Sequence, residues 1–148
     1  MSTHTVELHR VLRTNAERLF RAFTMPGAFA KWLPPYGFFG TVHEMDSRVG
    51  GRYRMSFTNL TTGESHGFGG EYLDLAPGER IRYTAEFEDP RMPGRMQTTV
   101  SLREVACGIE MRITQEGIPA FIPAESCYLG WQESLAQLAR LVEPEIKE

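Results

Sequence analysis

The sequence predicts an α+β fold: one domain, residues 1–148, in which a sheet of about seven antiparallel strands is covered by a long C-terminal helix, with two short helices between the first and second strands. Three observations predict it. Tyr128, Trp131, Leu135, Leu138 and Val142 recur at spacings of three and four, the stripe of an amphipathic helix. Between Gly40 and Gln115 the apolar period changes to two, and turn-forming clusters punctuate it. The length, 148 residues, suits one domain with a real core.

Taken in order, Val6 and Leu8 alternate with Glu7 and His9, a first strand ending near Leu12. Thr14-Asn15-Ala16-Glu17 has the Ser/Thr-x-x-Glu pattern of a capping box, which places a helix start at Thr14. Ala16, Leu19, Phe20 and Phe23 form that helix's apolar side, and Pro26-Gly27 interrupts it. Ala28 to Leu33 is a second short helix, closed by Pro34-Pro35.

Strands are expected at Gly40–Asp46, Arg52–Phe57, Ser65–Leu75, Arg80–Phe87, Met96–Arg103 and Ile109–Gln115. Gly67, Gly69 and Gly70 suggest a bulge or strong bend in the third of these. The final helix spans Ala124–Val142, with Pro123 suited to its first turn and Pro144 discouraging continuation. Glu125, Gln132, Glu133, Gln137 and Arg140 are assigned to its polar face. Gly130, unfavourable inside a helix, suggests a close backbone approach beside Trp131.

Composition narrows the function. Hydrophobic residues at 41%, charged residues at 24% and a net charge of −3 describe an ordinary globule with no basic tract for nucleic acid. No basic start followed by an apolar run marks a signal or transit peptide, and no stretch is long and apolar enough to span a membrane. A cytoplasmic location is therefore expected. Cys107 and Cys127 lack metal-ligand spacing. GxSxG, HExxH, the phosphate-cradling loop and the dinucleotide fingerprint are all absent, so no metal, cofactor or nucleotide is expected.

Several segments together carry a family resemblance: Ala16–Thr24 with Ala28–Trp32, Asp46–Tyr53, Gly70–Leu75 leading to Arg80-Ile81, and Gly130-Trp131 with Leu135 and Leu138. In order and spacing the chain resembles the helix-grip fold of the SRPBCC superfamily, which groups START domains, polyketide cyclases and birch-pollen-allergen-like proteins. Within it, the residues resemble homologues of the heat-shock-protein ATPase activator. The resemblance implies a curved sheet gripping the last helix, with an elongated cavity between them. It does not imply one activity.

The candidate ligand-binding residues follow from that geometry. Trp32, Phe38, Met45, Tyr53 and Met55 form the first group along the chain. Phe57, Phe68, Tyr83, Phe87 and Met111 continue the bulky face, and Tyr128 and Trp131 add the helix. Seven methionines suit a wall that adapts to varied shapes. His43, two residues from Met45, and His66, two residues from Phe68, are the polar candidates, one able to serve as an acid or base near neutral pH. No residue is assigned a catalytic role.

The expected partner is a small hydrophobic or amphipathic molecule, lipid-like or polyketide-like, held under the last helix. Two alternatives stand beside it: a cyclase or aromatase-type enzyme using a His/Tyr pair, and a chaperone-associated interaction module, ranked last because an additional N-terminal domain expected of a full co-chaperone is missing. No coiled-coil seam argues for a dimer, and a homodimer stays open. Along the helix, Leu135–Val142 is expected to be core, and Tyr128–Trp131, loosened by Gly130, to be where the cavity opens.

Overall fold

Period-two segments become strands because alternate side chains leave a strand on opposite faces, so one face is buried wholesale. In the computed structural model, which describes residues 3–148, these strands are β1 (Thr3–Leu12), β2 (Phe38–Met45), β3 (Arg52–Asn59), β4 (Ser65–Ala76), β5 (Arg80–Phe87), β6 (Met96–Val105) and β7 (Gly108–Pro119). The helices are α1 (Ala16–Thr24), α2 (Pro26–Trp32) and α3 (Ala124–Val142). The strands form one seven-stranded antiparallel sheet in the order β1-β7-β6-β5-β4-β3-β2. It curves around α3, which also packs against β1, α1 and α2.

Register sets the inner face. Tyr53 and Met55 of β3 are buried, as are Met96, Thr98, Val100 and Leu102 of β6, and Ile109, Met111 and Ile113 of β7. Their neighbours Arg52, Arg54, Ser101 and Arg112 face outward. Trp131, Leu135, Leu138 and Val142 complete the core from α3.

The two short helices are tied in by aromatic side chains. Trp32 is fully buried, donates its indole N–H to the Ala22 carbonyl at 2.8 Å, and stacks edge-on with Phe23 at 4.9 Å and Phe29 at 5.6 Å. Tyr72 donates its hydroxyl to the Phe23 carbonyl at 3.1 Å, which joins α1 to the sheet. Helix α2 leaves its last carbonyls without helical partners. Gln137 of α3 supplies donors to Trp32 and Pro34, at 3.0 and 2.6 Å, and Ser134 donates to Leu33 at 2.6 Å.

Four sequence expectations need correction. The cap of α1 is Asn15, whose side chain accepts from the Arg18 N–H at 2.8 Å, while the Thr14 hydroxyl is buried without a partner. Both are good capping types, and register decides between them. Helix α2 begins at Pro26, not Ala28, because a proline ring is preorganised for the first helical position. Gln137 is half-buried and bonded, so it leaves the polar face.

The fourth concerns β4. The strand does bulge, but at Leu73, between Tyr72 and Asp74 against β5, and not at its glycines, which pair regularly with β3. Gly70 serves close approach instead. A Cβ there would overlap the Thr84 carbonyl, which accepts the Tyr53 hydroxyl at 2.6 Å. Tyr53 thus reaches from β3 across β4 to β5 over a residue with no side chain.

Candidate ligand cleft

The concave face of the sheet and the N-terminal half of α3 are not in full contact. Between them lies a cleft of about 350 Å³. Its floor comes from Tyr53 and Phe57 of β3, His66 and Phe68 of β4, and Tyr83, Ala85 and Phe87 of β5. Met96 and Thr98 of β6 and Gln115 and Ile118 of β7 continue it. Its roof is Ser126, Cys127, Gly130, Trp131 and Ser134, with Leu33, Pro35 and Ile122 at the ends. Those α3 positions are spaced so that one helix face serves the cleft, with Leu135, Leu138 and Val142 buried further along.

Of the candidates from sequence, Tyr53, Phe57, His66, Phe68, Tyr83, Phe87 and Trp131 come together here. The others stand elsewhere. Trp32, Met55 and Met111 are spent in the solid core, and Phe38 and Met45 are half-buried on the edge strand β2. His43 is exposed on the outer face, where its ring bonds the Ser56 hydroxyl at 2.6 Å. The reason is a register shift between Val42 and Glu44, which breaks the alternation with Met45. Tyr128 turns toward β1, where its hydroxyl accepts from the Glu7 N–H at 3.2 Å. Gly130 makes no close approach: a Cβ there would meet nothing within 4 Å, so the glycine contributes space.

Sequence reasoning passed over Thr98, Gln115, Ser126, Cys127 and Ser134. Thr98 and Gln115 sit on predicted strands, and their alternation with Met96, Val100 and Ile113 put them on the inward face.

The chemistry of the cleft is apolar with a few neutral polar groups. None of its lining residues is Asp, Glu, Lys or Arg. Trp131 donates its indole N–H to Gln115 Oε1 at 2.9 Å. An indole N–H only donates, so that bond fixes the amide orientation. Burial pushes the phenols of Tyr53, Tyr72 and Tyr83 up, Tyr72 to about 12, because a phenolate there would lose its hydration. Burial likewise raises the Cys127 thiol. His66 sits exposed at the rim, and among the described residues no hydrogen bond joins it to a tyrosine or carboxylate.

A second hollow, about 510 Å³, lies on the outer side of β6 and β7 around Arg103, Glu110 and Arg112. Glu110 there bonds His9 at 3.1 Å and Arg103 at 2.9 Å, and these partners hold its carboxyl below the usual range. The hollow is open surface over a satisfied ion-pair cluster. Among the described residues no group of three or more His, Cys, Asp or Glu could hold a metal, and no helix is long and apolar enough to cross a membrane.

Fold and cleft together define a helix-grip domain. Residues 13–143 match the family described as Activator of Hsp90 ATPase homolog 1-like protein, and the chain belongs to that family. A crystal structure of a protein from Chromobacterium violaceum is similar at 57% identity and a TM-score of 0.93, covering 95% of this chain and 98% of that one. A protein from Rhodobacter sphaeroides shares the fold at 20% identity and a TM-score of 0.79, covering 94% and 91% of the two chains. One from Rhizobium leguminosarum does so at 24% and 0.76, covering 96% and 95%. The comparison with curated proteins gave no match.

Proposed function

We propose that this protein binds a small hydrophobic or amphipathic molecule in the cleft beneath the N-terminal half of α3. The observation that carries the reading is the cleft itself: about 350 Å³, apolar, lined by no Asp, Glu, Lys or Arg, and roofed by a helix whose other half is firmly packed. Pockets of this size and character hold small ligands chiefly by removing apolar surface from water, at ~25 cal/mol per Å². The family and fold are compatible with this role, and neither names the ligand.

Trp131 supplies the readout. Titration with N-phenyl-1-naphthylamine, a neutral apolar probe, should change tryptophan emission saturably, since Trp131 lines the cleft and Trp32 is sealed in the core. Gly130→Leu points a side chain into open space and should abolish the response with the fold intact by circular dichroism. Binding of equal strength in that variant, or no saturable change in the parent protein, would sink the proposal.

A further inference from the structure

Three neighbouring strands place a polar row across the floor of this apolar cleft. Tyr83 on β5 is the register partner of Thr98 on β6, and Thr98 is the partner of Gln115 on β7. Directly opposed residues share a face, so the three side chains form a line perpendicular to the strands. All three line the cleft.

The row is short of partners. Tyr53 and Tyr72 give their hydroxyls to the Thr84 and Phe23 carbonyls, whereas no carbonyl or carboxylate among the described residues receives that of Tyr83. Thr98 is 1% exposed and its hydroxyl has no partner in good hydrogen-bond geometry, the Tyr83 hydroxyl standing close enough only for a weak interaction with it. Gln115 turns its oxygen to Trp131, so its NH₂ group, a pure donor, is left over. A buried hydroxyl normally finds a partner, so Thr98, with the free Tyr83 hydroxyl and Gln115 amide on either side of it, marks a place where something else completes the row.

The unmet capacity is mostly of one kind. The Gln115 NH₂ only donates, and a phenol held in its protonated form by burial is a good donor. The lining holds no Asp, Glu, Lys or Arg, and His66 is exposed at the rim, so an ionic ligand group placed on this buried row would be desolvated without compensation. We infer that the cleft takes an uncharged, largely apolar molecule bearing a carbonyl oxygen, to which Tyr83 and Thr98 donate, with the Gln115 amide serving a further acceptor along the row. This rests on the cleft being a ligand site and adds the chemical class.

A matched pair of probes separates the two ideas. Benzophenone and diphenylmethane share a shape and differ in the carbonyl oxygen; their affinities are measured by calorimetry on the parent protein, Tyr83→Phe and Thr98→Val. Each substitution should weaken benzophenone about tenfold, the range of one buried hydrogen bond, and leave diphenylmethane within about twofold. Both variants nearly keep the side-chain volume, the Thr98 hydroxyl has no partner to lose, and thermal melting confirms folding before titration. If diphenylmethane binds and the variants shift both probes alike or neither, the carbonyl inference falls and the cleft reading stands. If neither probe binds the parent protein while N-phenyl-1-naphthylamine does, the carbonyl inference falls alone; if none of the three binds, the cleft reading falls with it.

Discussion

A hydroxyl sealed from water without a partner costs the fold free energy, and Thr98 carries such a group at the floor of the cleft. Thr98→Val replaces it with a methyl of nearly the same volume. The variant should therefore be more stable by about 1 kcal/mol, a rise in melting temperature of roughly 2–4 °C for a chain of this length. A fall in melting temperature by calorimetry would show that the hydroxyl supports the fold. Trp131 is the converse case. Its bond to Gln115 is satisfied at 2.9 Å, so the wall of the cleft is held firm while the floor keeps open valences. Cost in the floor and order in the wall are what a preorganised ligand site requires.

At the scale of elements, two glycines with opposite duties make a paired prediction. Gly70→Ala forces a methyl against the Thr84 carbonyl and displaces the Tyr53 hydroxyl from it, a loss of about 3 kcal/mol from overpacking and a broken buried bond. Gly130→Ala meets open space and gains helix propensity, about 1 kcal/mol of stabilisation. Urea unfolding of both variants checks the pair, and the same sign for both would contradict the geometry. The strands, both short helices and the full span of α3 were legible in the sequence because each has its own period or punctuation. The cleft was legible in part. Phe57, Phe68 and Trp131 follow from alternation and helical spacing, whereas the displacement of His43 depends on a register shift against β3 that no local pattern marks. Gly130 was misread for a related reason: a glycine that makes room and one that permits contact look alike in a sequence. Thr98 and Gln115 lay on the correct face and were passed over because their significance is the absence of a partner, which only three dimensions reveal.

For the molecule as a whole, the buried tyrosines couple the core to alkaline pH. The phenols of Tyr53, Tyr72 and Tyr83 sit above their ordinary value of 10.0 in the folded chain, so the unfolded state loses protons first as pH rises. Linkage then gives the phenols a contribution to stability that is level below pH 10 and declines above it, through the value of about 12 held by Tyr72. Tyrosinate absorbance and circular dichroism followed from pH 9 to 12 should show the buried phenols ionising together with loss of structure. Full ionisation of all tyrosines in a folded protein would contradict the packing. The seven-stranded sheet also ends in two open edges, β1 and β2; β2 itself bulges at His43, between Val42 and Glu44, whereas the irregularity opposite His4 and Val6 puts its extra residue on β7 and leaves β1 unbulged. A bulged edge offers an approaching strand a broken ladder of donors and acceptors. The same irregularity that turns His43 out of the cleft thus guards one flank of the sheet against amyloid-like growth.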